Sequence, residues 1–255
     1  MMNLKKYIEL SNNYKSNSQK TRVFTEPFVE DNFYCPYCGA NIISRKNNDK
    51  VRDFDCSKCN QNYELKSKQG KSLGKIIPDG AYNSMIERIN NNSNLNFYFL
   101  NYDKENFDVI NFCAVPNYFF TPNIIIPRKK GIPNRPNYIM CNIDISGIPN
   151  SGKIFYIKDK NIIEKSKVIE DWNKTSFLKE THDSNSKGWI LDTLKCIEKL
   201  DKTDFTLNDI YQFEKELKLK HPQNNNIQAK IRQQLQILRD KNYLSFTSRG
   251  NYKLK

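Results

Sequence analysis

The apolar positions of the chain fall into short runs with two different periods. Between residues 4 and 34 they are spaced for helical segments: Leu4, Ile8 and Leu10, then a polar stretch, then Val23-Phe24. Strand-like runs follow at 63–65, 96–100, 109–115, 124–126 and 154–157. Between the first two of these, residues 79–89 read as a helix, because Ala81, Met85, Ile86 and Ile89 share one face of a 3.6-residue repeat. Prolines at 116, 122, 127, 133, 136 and 149 mark the middle of the chain as loops. Strands and helices mixed in this way predict an α/β or α+β domain around a mixed sheet.

The pattern changes at 182–187, His-Asp-Ser-Asn-Ser-Lys, a short polar stretch read as a linker. It divides the chain into residues 1–183 and 184–255. Beyond it Trp189, Ile190, Leu194 and Ile197 mark a first helix. Phe205-Thr206-Leu207-Asn208-Asp209 opens a second, with Thr206 placed to cap it and Asp209 three residues on. Ile227, Ile231, Leu235 and Leu238 form the stripe of a third. Residues 243–246 and 251–254 then alternate about Ser248-Arg249-Gly250, a hairpin. Three helices followed by a hairpin describe a small winged helix-turn-helix domain.

Composition narrows the partner. Of 255 residues, 38% are hydrophobic and 12% aromatic, as in a folded protein. No apolar run is long enough to span a membrane, and the N-terminus has no apolar signal region, so a cytoplasmic location is expected. The heavy use of Asn, Lys and Ile resembles that of low-GC bacterial genomes. Forty-one basic side chains against 28 acidic ones give a net charge of +13, which suits a polyanion, with nucleic acid the first candidate. The bland alternative is a protein of high pI. The distribution favours the former at the C-terminal end, where residues 224–255 carry seven Lys or Arg and one acid, Asp240.

Of the seven cysteines, Cys35, Cys38, Cys56 and Cys59 form two Cys-x2-Cys pairs separated by 17 residues. In a reducing compartment such pairs favour metal over disulfide. Four thiolates complete the tetrahedral shell of one zinc ion and leave no open position, so the expected zinc is structural. Cys113, Cys141 and Cys196 lie in apolar surroundings and read as core.

Carboxylates flank the second pair. If Cys56 to Cys59 tighten a turn centred near Lys58-Cys59, Asp53 falls opposite Glu64, and alternation puts Lys66 on the Glu64 face. Two facing carboxylates favour a hard cation between them, such as magnesium. A lysine beside that ion can lower the pKa of a bound water or position it for attack on phosphorus. Asp55 competes as a ligand if the register shifts by two.

These residues resemble the PD-(D/E)xK nucleases, and the chain closely resembles the DpnI restriction endonuclease family. The resemblance is carried by the four cysteines, Asp53, and the runs at 64–68 (Glu-Leu-Lys-Ser-Lys), 79–82 and 97–100. The runs at 14–20, 141–144 and 230–241 extend it to essentially the whole chain. It implies a type II, methyl-directed enzyme that cuts double-stranded DNA at GATC when the adenine carries an N6-methyl group. Asp53, Glu64 and the Leu65 backbone carbonyl would then hold magnesium, and Lys66 would be the catalytic lysine. The chain departs from the superfamily pattern in having Arg52, not proline, before Asp53.

On the third C-terminal helix the apolar stripe turns Gln228, Ala229, Arg232, Gln233 and Gln236 away from the core. With Asn225 and Asn226 these suit a site containing G and A, since Arg pairs with guanine, Gln or Asn with adenine, and small apolar groups accept a methyl. Lys241, Arg249 and Lys253 around the wing are expected to hold phosphates. One buried methyl is worth about 0.8 kcal/mol, roughly fourfold in affinity, so strict methyl dependence is expected to be multiplied through both methyl groups of a palindromic site and through readers in both domains. In the first domain Tyr138 stands where the resemblance leads one to expect tryptophan; it either lines a methyl pocket or belongs to the core. No obligate protein partner is expected. Two other classes stay open: a zinc-containing winged-helix regulator that binds without cutting, and a structure-selective repair nuclease.

Overall fold

A computed structural model gives the fold of residues 2–45, 52–132, 134–181 and 183–255. Pro133 and His182, singled out in the sequence, lie outside them. Chain contacts divide it into two units, Met1–Ser146 with Gly152–Asn173, and Gly147–Ser151 with Lys174–Lys255.

The first unit opens with α1 (Lys5–Ile8) and α2 (Asn17–Asn32). Strands β1 (Ile42–Ser44), β2 (Phe54–Cys56), β3 (Asn62–Gln69) and β4 (Ile76–Ala81) precede α3 (Tyr82–Asn90). Then come β5 (Asn96–Tyr102), β6 (Val109–Val115), β7 (Ile125–Pro127), β8 (Met140–Asp144), β9 (Ile154–Lys158), β10 (Asn161–Ile162) and α4 (Lys165–Lys174). A seven-stranded sheet runs β1-β2-β3-β5-β6-β9-β10, with β3 and β5 parallel and every other pair antiparallel. All seven positions of β5 are buried, as expected of a central strand covered on both faces. On one face Phe24, Phe28 and Val29 of α2 and Val168 and Trp172 of α4 join Tyr63, Tyr98, Phe112 and Tyr156 in one core. Elsewhere Phe97 stacks beside Phe99, 5.8 Å between ring centres, and meets Phe120 at 4.8 Å. A second, three-stranded sheet runs β4-β8-β7.

The helix expected over 79–89 begins only at Tyr82, and residues 76–81 form β4. Pro78 lacks the N–H that a helix interior needs, and Gly80 is a poor helix former. On β4, an edge strand, the proline costs no ladder bond. Pro127, expected in a loop, is likewise tolerated at the end of β7, the opposite edge.

The second unit contains α5 (Ser184–Leu200), β11 (Asp204–Thr206), α6 (Leu207–Tyr211), α7 (Glu214–Lys220), α8 (Ile227–Asp240), β12 (Leu244–Ser248) and β13 (Asn251–Leu254). Residues 184–187 are not a linker but the first turn of α5. The Asp183 carboxylate accepts the Ser186 N–H at 2.6 Å and so caps the helix. The second helix divides in two, α6 and α7, with Ile210 and Leu217 both buried. A reciprocal capping box joins Thr206 and Asp209. Residues 204–206, read as leading into the second helix, pair with β13 and give a sheet ordered β11-β13-β12. Phe205 stacks on Tyr252 within it, and Gly250 takes the positive φ of +76° that the wing turn needs. The result is a winged helix-turn-helix. The stripe of α8 is buried as expected, together with Gln234, which the apolar pattern did not mark. Among the described residues no helix is long and apolar enough to cross a membrane.

Candidate functional site

Two backbone knuckles bring the four cysteines together. The Cys35 N–H bonds the Ala40 carbonyl and the Gly39 N–H bonds the Cys35 carbonyl, both at 2.8 Å. The Cys56 N–H bonds the Gln61 carbonyl at 2.9 Å. Gly39 holds φ at +74°, a conformation an L side chain rarely adopts. Strand β1 then pairs with β2 so that Ile42 faces Cys56. The four sulfurs lie within 4.8 Å of one another, with Cys38–Cys56 at 3.4 Å and Cys35–Cys59 and Cys38–Cys59 at 3.6 Å. A tetrahedral zinc with Zn–S near 2.3 Å spaces its sulfurs by about 3.8 Å, so the donor set and its spacing fit that ion. Burial works against the Cys56 thiolate, but the N–H groups of Lys58 and Cys59 outweigh it and hold the thiol down at about 7. Burial pushes Cys35 up to about 11 despite the Tyr63 hydroxyl 3.1 Å from its sulfur.

The same knuckle sets the register of the hairpin. Phe54 faces Tyr63 and Asp55 faces Asn62. One step further out, the Asp53 N–H bonds the Tyr63 carbonyl at 2.9 Å, and Asp53 Oδ2 accepts the Leu65 N–H at 2.8 Å. Asp53 is thereby fixed beside Glu64. Lys66 Nζ lies 2.5 Å from Glu64 Oε1. Asp55, the competing ligand, is instead taken up by Arg45 and Arg52. Burial raises the Glu64 carboxyl above the usual carboxylate range, with Lys66 pulling it back. Burial also works against the Lys66 ammonium, but Glu64 and Asp79 outweigh it and keep Lys66 charged.

Two acidic residues with no role assigned from the sequence belong to the cluster. Asp79 of β4 reaches Lys66 Nζ at 2.6 Å. Its place at the head of an expected helix hid its role; the signals that could have broken that helix were Pro78 and Gly80 on either side of it. Glu26 of α2 bonds Arg22 at 2.5 Å, and Arg22 in turn lies 3.4 Å from Asp53. Burial, reinforced by the Asp53 charge, pushes Glu26 up to about 7 against the pull of Arg22. No local signal separates this glutamate from the other polar residues of α2. Asp53, Glu64, Leu65 and Lys66 line a cavity of about 1320 Å³ whose wall also includes Lys20, Arg22, Lys68 and Lys104. A basic wall around paired carboxylates suits a phosphate backbone.

The raised Glu26 gives a pH test. An unfolded glutamate titrates near about 4.3, so ionising the folded one costs stability as pH rises from there towards 7. Glu26→Gln removes that cost. Without added magnesium, the melting temperature of the variant should gain on that of the wild type between pH 5 and pH 8. A gap independent of pH would show that Glu26 is not buried against Asp53 in solution.

In the second unit Gln228, Ala229, Arg232, Gln233 and Gln236 are all exposed on α8, opposite the buried Ile227, Ile231, Leu235 and Leu238. Arg232 donates to the Tyr211 hydroxyl at 2.6 Å and Gln228 to Glu214 at 2.8 Å. Asn226 is the N-cap residue, and Asn225 accepts from Lys218 at 3.1 Å. Arg249 sits in the wing turn, and Lys253 is exposed on β13. Lys241 pairs with the exposed Glu180 at 2.6 Å, a solvent-screened surface pair that a phosphate can displace. Tyr138 is 39% exposed between β7 and β8, which sets aside its reading as core. Cys113, Cys141 and Cys196 are buried, as expected.

Comparison with protein families accounts for nearly the whole chain. The model of the Dam-replacing family, DpnI, matches residues 2–181, and that of the Dam-replacing HTH domain matches residues 185–254. The first match alone covers more than half of the sequence, and the second coincides with the winged helix-turn-helix. The chain belongs to the Dam-replacing, DpnI family of nucleases and carries that family's DNA-binding helix-turn-helix domain.

Proposed function

We propose that the protein is a type II restriction endonuclease that cuts double-stranded DNA at GATC sites carrying N6-methyladenine, using magnesium. The observation that carries this reading is the hairpin register, which sets Asp53 beside Glu64 with Lys66 against the Glu64 carboxylate. Asp53, Glu64 and the Leu65 carbonyl are an oxygen donor set of the kind magnesium prefers. When bound there, the ion would polarise the scissile phosphate and acidify the attacking water. Lys66, beside the Glu64 carboxylate, acts as a donor that orients the attacking water. The four-cysteine module holds structural zinc and fixes the turn. The basic cavity wall binds the backbone, and residues 1–183 and 184–255 act as the catalytic and DNA-reading domains.

Base reading is assigned to Asn226, Gln228, Ala229, Arg232, Gln233 and Gln236, and phosphate binding to Lys241, Arg249 and Lys253. Tyr138 serves as a second methyl reader. Replacing Arg232 by alanine should weaken binding to a methylated GATC duplex by 1–3 kcal/mol, about 5- to 150-fold. Fluorescence anisotropy at fixed salt measures this; an equal loss on unrelated DNA would make Arg232 a phosphate contact only.

The decisive experiment incubates the purified protein and magnesium with plasmid prepared with or without adenine methylation. Cutting of the methylated plasmid alone is expected. Tight binding without cutting of either would turn the reading to a zinc-containing regulator, and cutting of both to a nuclease that ignores methylation.

A further inference from the structure

Asp79 is a buried carboxylate with no part in the reaction as described so far. It lies where the pairing of β4 with β8 slips: Pro78 faces Asn142 and Ala81 faces Met140, leaving one extra residue on β4. Such bulges re-aim a side chain. Here the redirected carboxylate leaves its own sheet and meets Lys66 of the other, with Asp79 Oδ1 2.6 Å from Nζ and only 3% of the side chain exposed. The Cys141 thiol, a weak donor, lies 4.0 Å from Asp79 Oδ2.

We propose that Asp79 is the positioning residue for Lys66, holding the ammonium in place while Glu64 serves the metal. The inference rests on the nuclease reading above. Lys66 has two carboxylate partners, and in that reading one of them, Glu64, turns its oxygens to a cation. A lysine left with no other partner on a flexible stem has no fixed position. Asp79 cannot follow the cation, because the bulge anchors it in the second sheet. It therefore supplies the fixed end of the pair.

A double-mutant cycle tests this. Asp79→Asn should slow single-turnover cleavage of methylated plasmid by about 10- to 100-fold, within the range of a lost pre-organising contact. DNA affinity should stay within about twofold, and Asp79→Glu should recover part of the rate. In a Lys66→Ala background the same Asn substitution should change the residual nicking rate by less than about twofold. Melting without added magnesium gives a readout independent of activity. Asp79→Asn should lower the melting temperature when Lys66 is present and raise it when Lys66 is alanine, because the amide then relieves an unpaired buried charge. Equal slowing in both backgrounds, or a melting shift of the same sign in both, would overturn the proposal. Wild-type cleavage by Lys66→Ala itself would instead overturn the nuclease assignment of Lys66.

Discussion

Replacing Lys66 by alanine should leave DNA bound and uncut. Its ammonium is shared by Glu64 at 2.5 Å and Asp79 at 2.6 Å, so it contributes little free charge to the cavity, and duplex affinity should stay within about threefold. Cleavage should fall by roughly 10³-fold, the factor expected when several kcal/mol of charge stabilisation and water orientation leave a phosphoryl-transfer site. Asp53→Ala should act in the same direction for a different reason. It removes a carboxylate donor and also releases the Leu65 N–H that locks the hairpin end. Gel shift on methylated GATC duplex together with single-turnover nicking separates binding from chemistry. Loss of both in Lys66→Ala, with the zinc retained and the fold intact by circular dichroism, would make Lys66 a DNA-holding residue instead.

The second large effect is expected from the zinc module. Metal analysis should find one zinc per chain, and Cys56→Ser or prolonged chelation should abolish cleavage in a way that magnesium alone does not restore. Structural zinc contributes about 10–16 kcal/mol in small zinc-finger peptides. Losing even ~5 kcal/mol would lower the melting temperature by roughly 10–20 °C in a domain of this size. The route from zinc to chemistry is short. The Cys56 N–H bond to Gln61 closes the turn, the Tyr63 hydroxyl touches the Cys35 sulfur, and Glu64 is the next residue. A chelated, zinc-free chain that cut at the wild-type rate would show that the sulfur cluster is not what holds the hairpin.

The two outcomes differ in kind. The lysine variant should keep its zinc and its DNA binding while losing its rate, with a melting temperature lowered by the charge of Asp79 left unpaired. The cysteine variant should lose the metal module and the rate together. Glu26→Gln should instead leave the zinc in place and alter how stability depends on pH.

What the sequence revealed of this site follows from how local each constraint is. Two cysteine pairs and a turn centred near Lys58-Cys59 set residues whose numbers sum to 117 opposite one another, and the observed pairs Phe54–Tyr63 and Asp55–Asn62 obey that sum. Everything needed for that inference lies within a dozen residues. Asp79 was hidden because Ala81, Met85 and Ile89 extend a helical period back over it, and only a bulge against β8, some 60 residues away, turns it towards Lys66. Glu26 was hidden because its meaning depends on where α2 lies against the hairpin, a contact between elements that no spacing encodes. The C-terminal unit shows the same division. The Thr206–Asp209 capping box and the α8 stripe were readable, while the pairing of residues 204–206 with β13 and the burial of Gln234 depend on tertiary neighbours.

The alternation along β3 has one more consequence. Tyr63 faces the aromatic core and the sulfurs, Glu64 faces the cavity, and their order on the strand is fixed by the number of residues in the turn between Cys56 and Asn62. Adding or deleting one residue in that turn would exchange the two faces at a stroke, sending a carboxylate into the core and a phenol into the reaction space. The segment can therefore drift in composition far more readily than in length. Point changes such as Lys58 to another polar residue alter a surface, while a single-codon insertion beside it would disturb the four-cysteine cluster and the proposed cutting centre together.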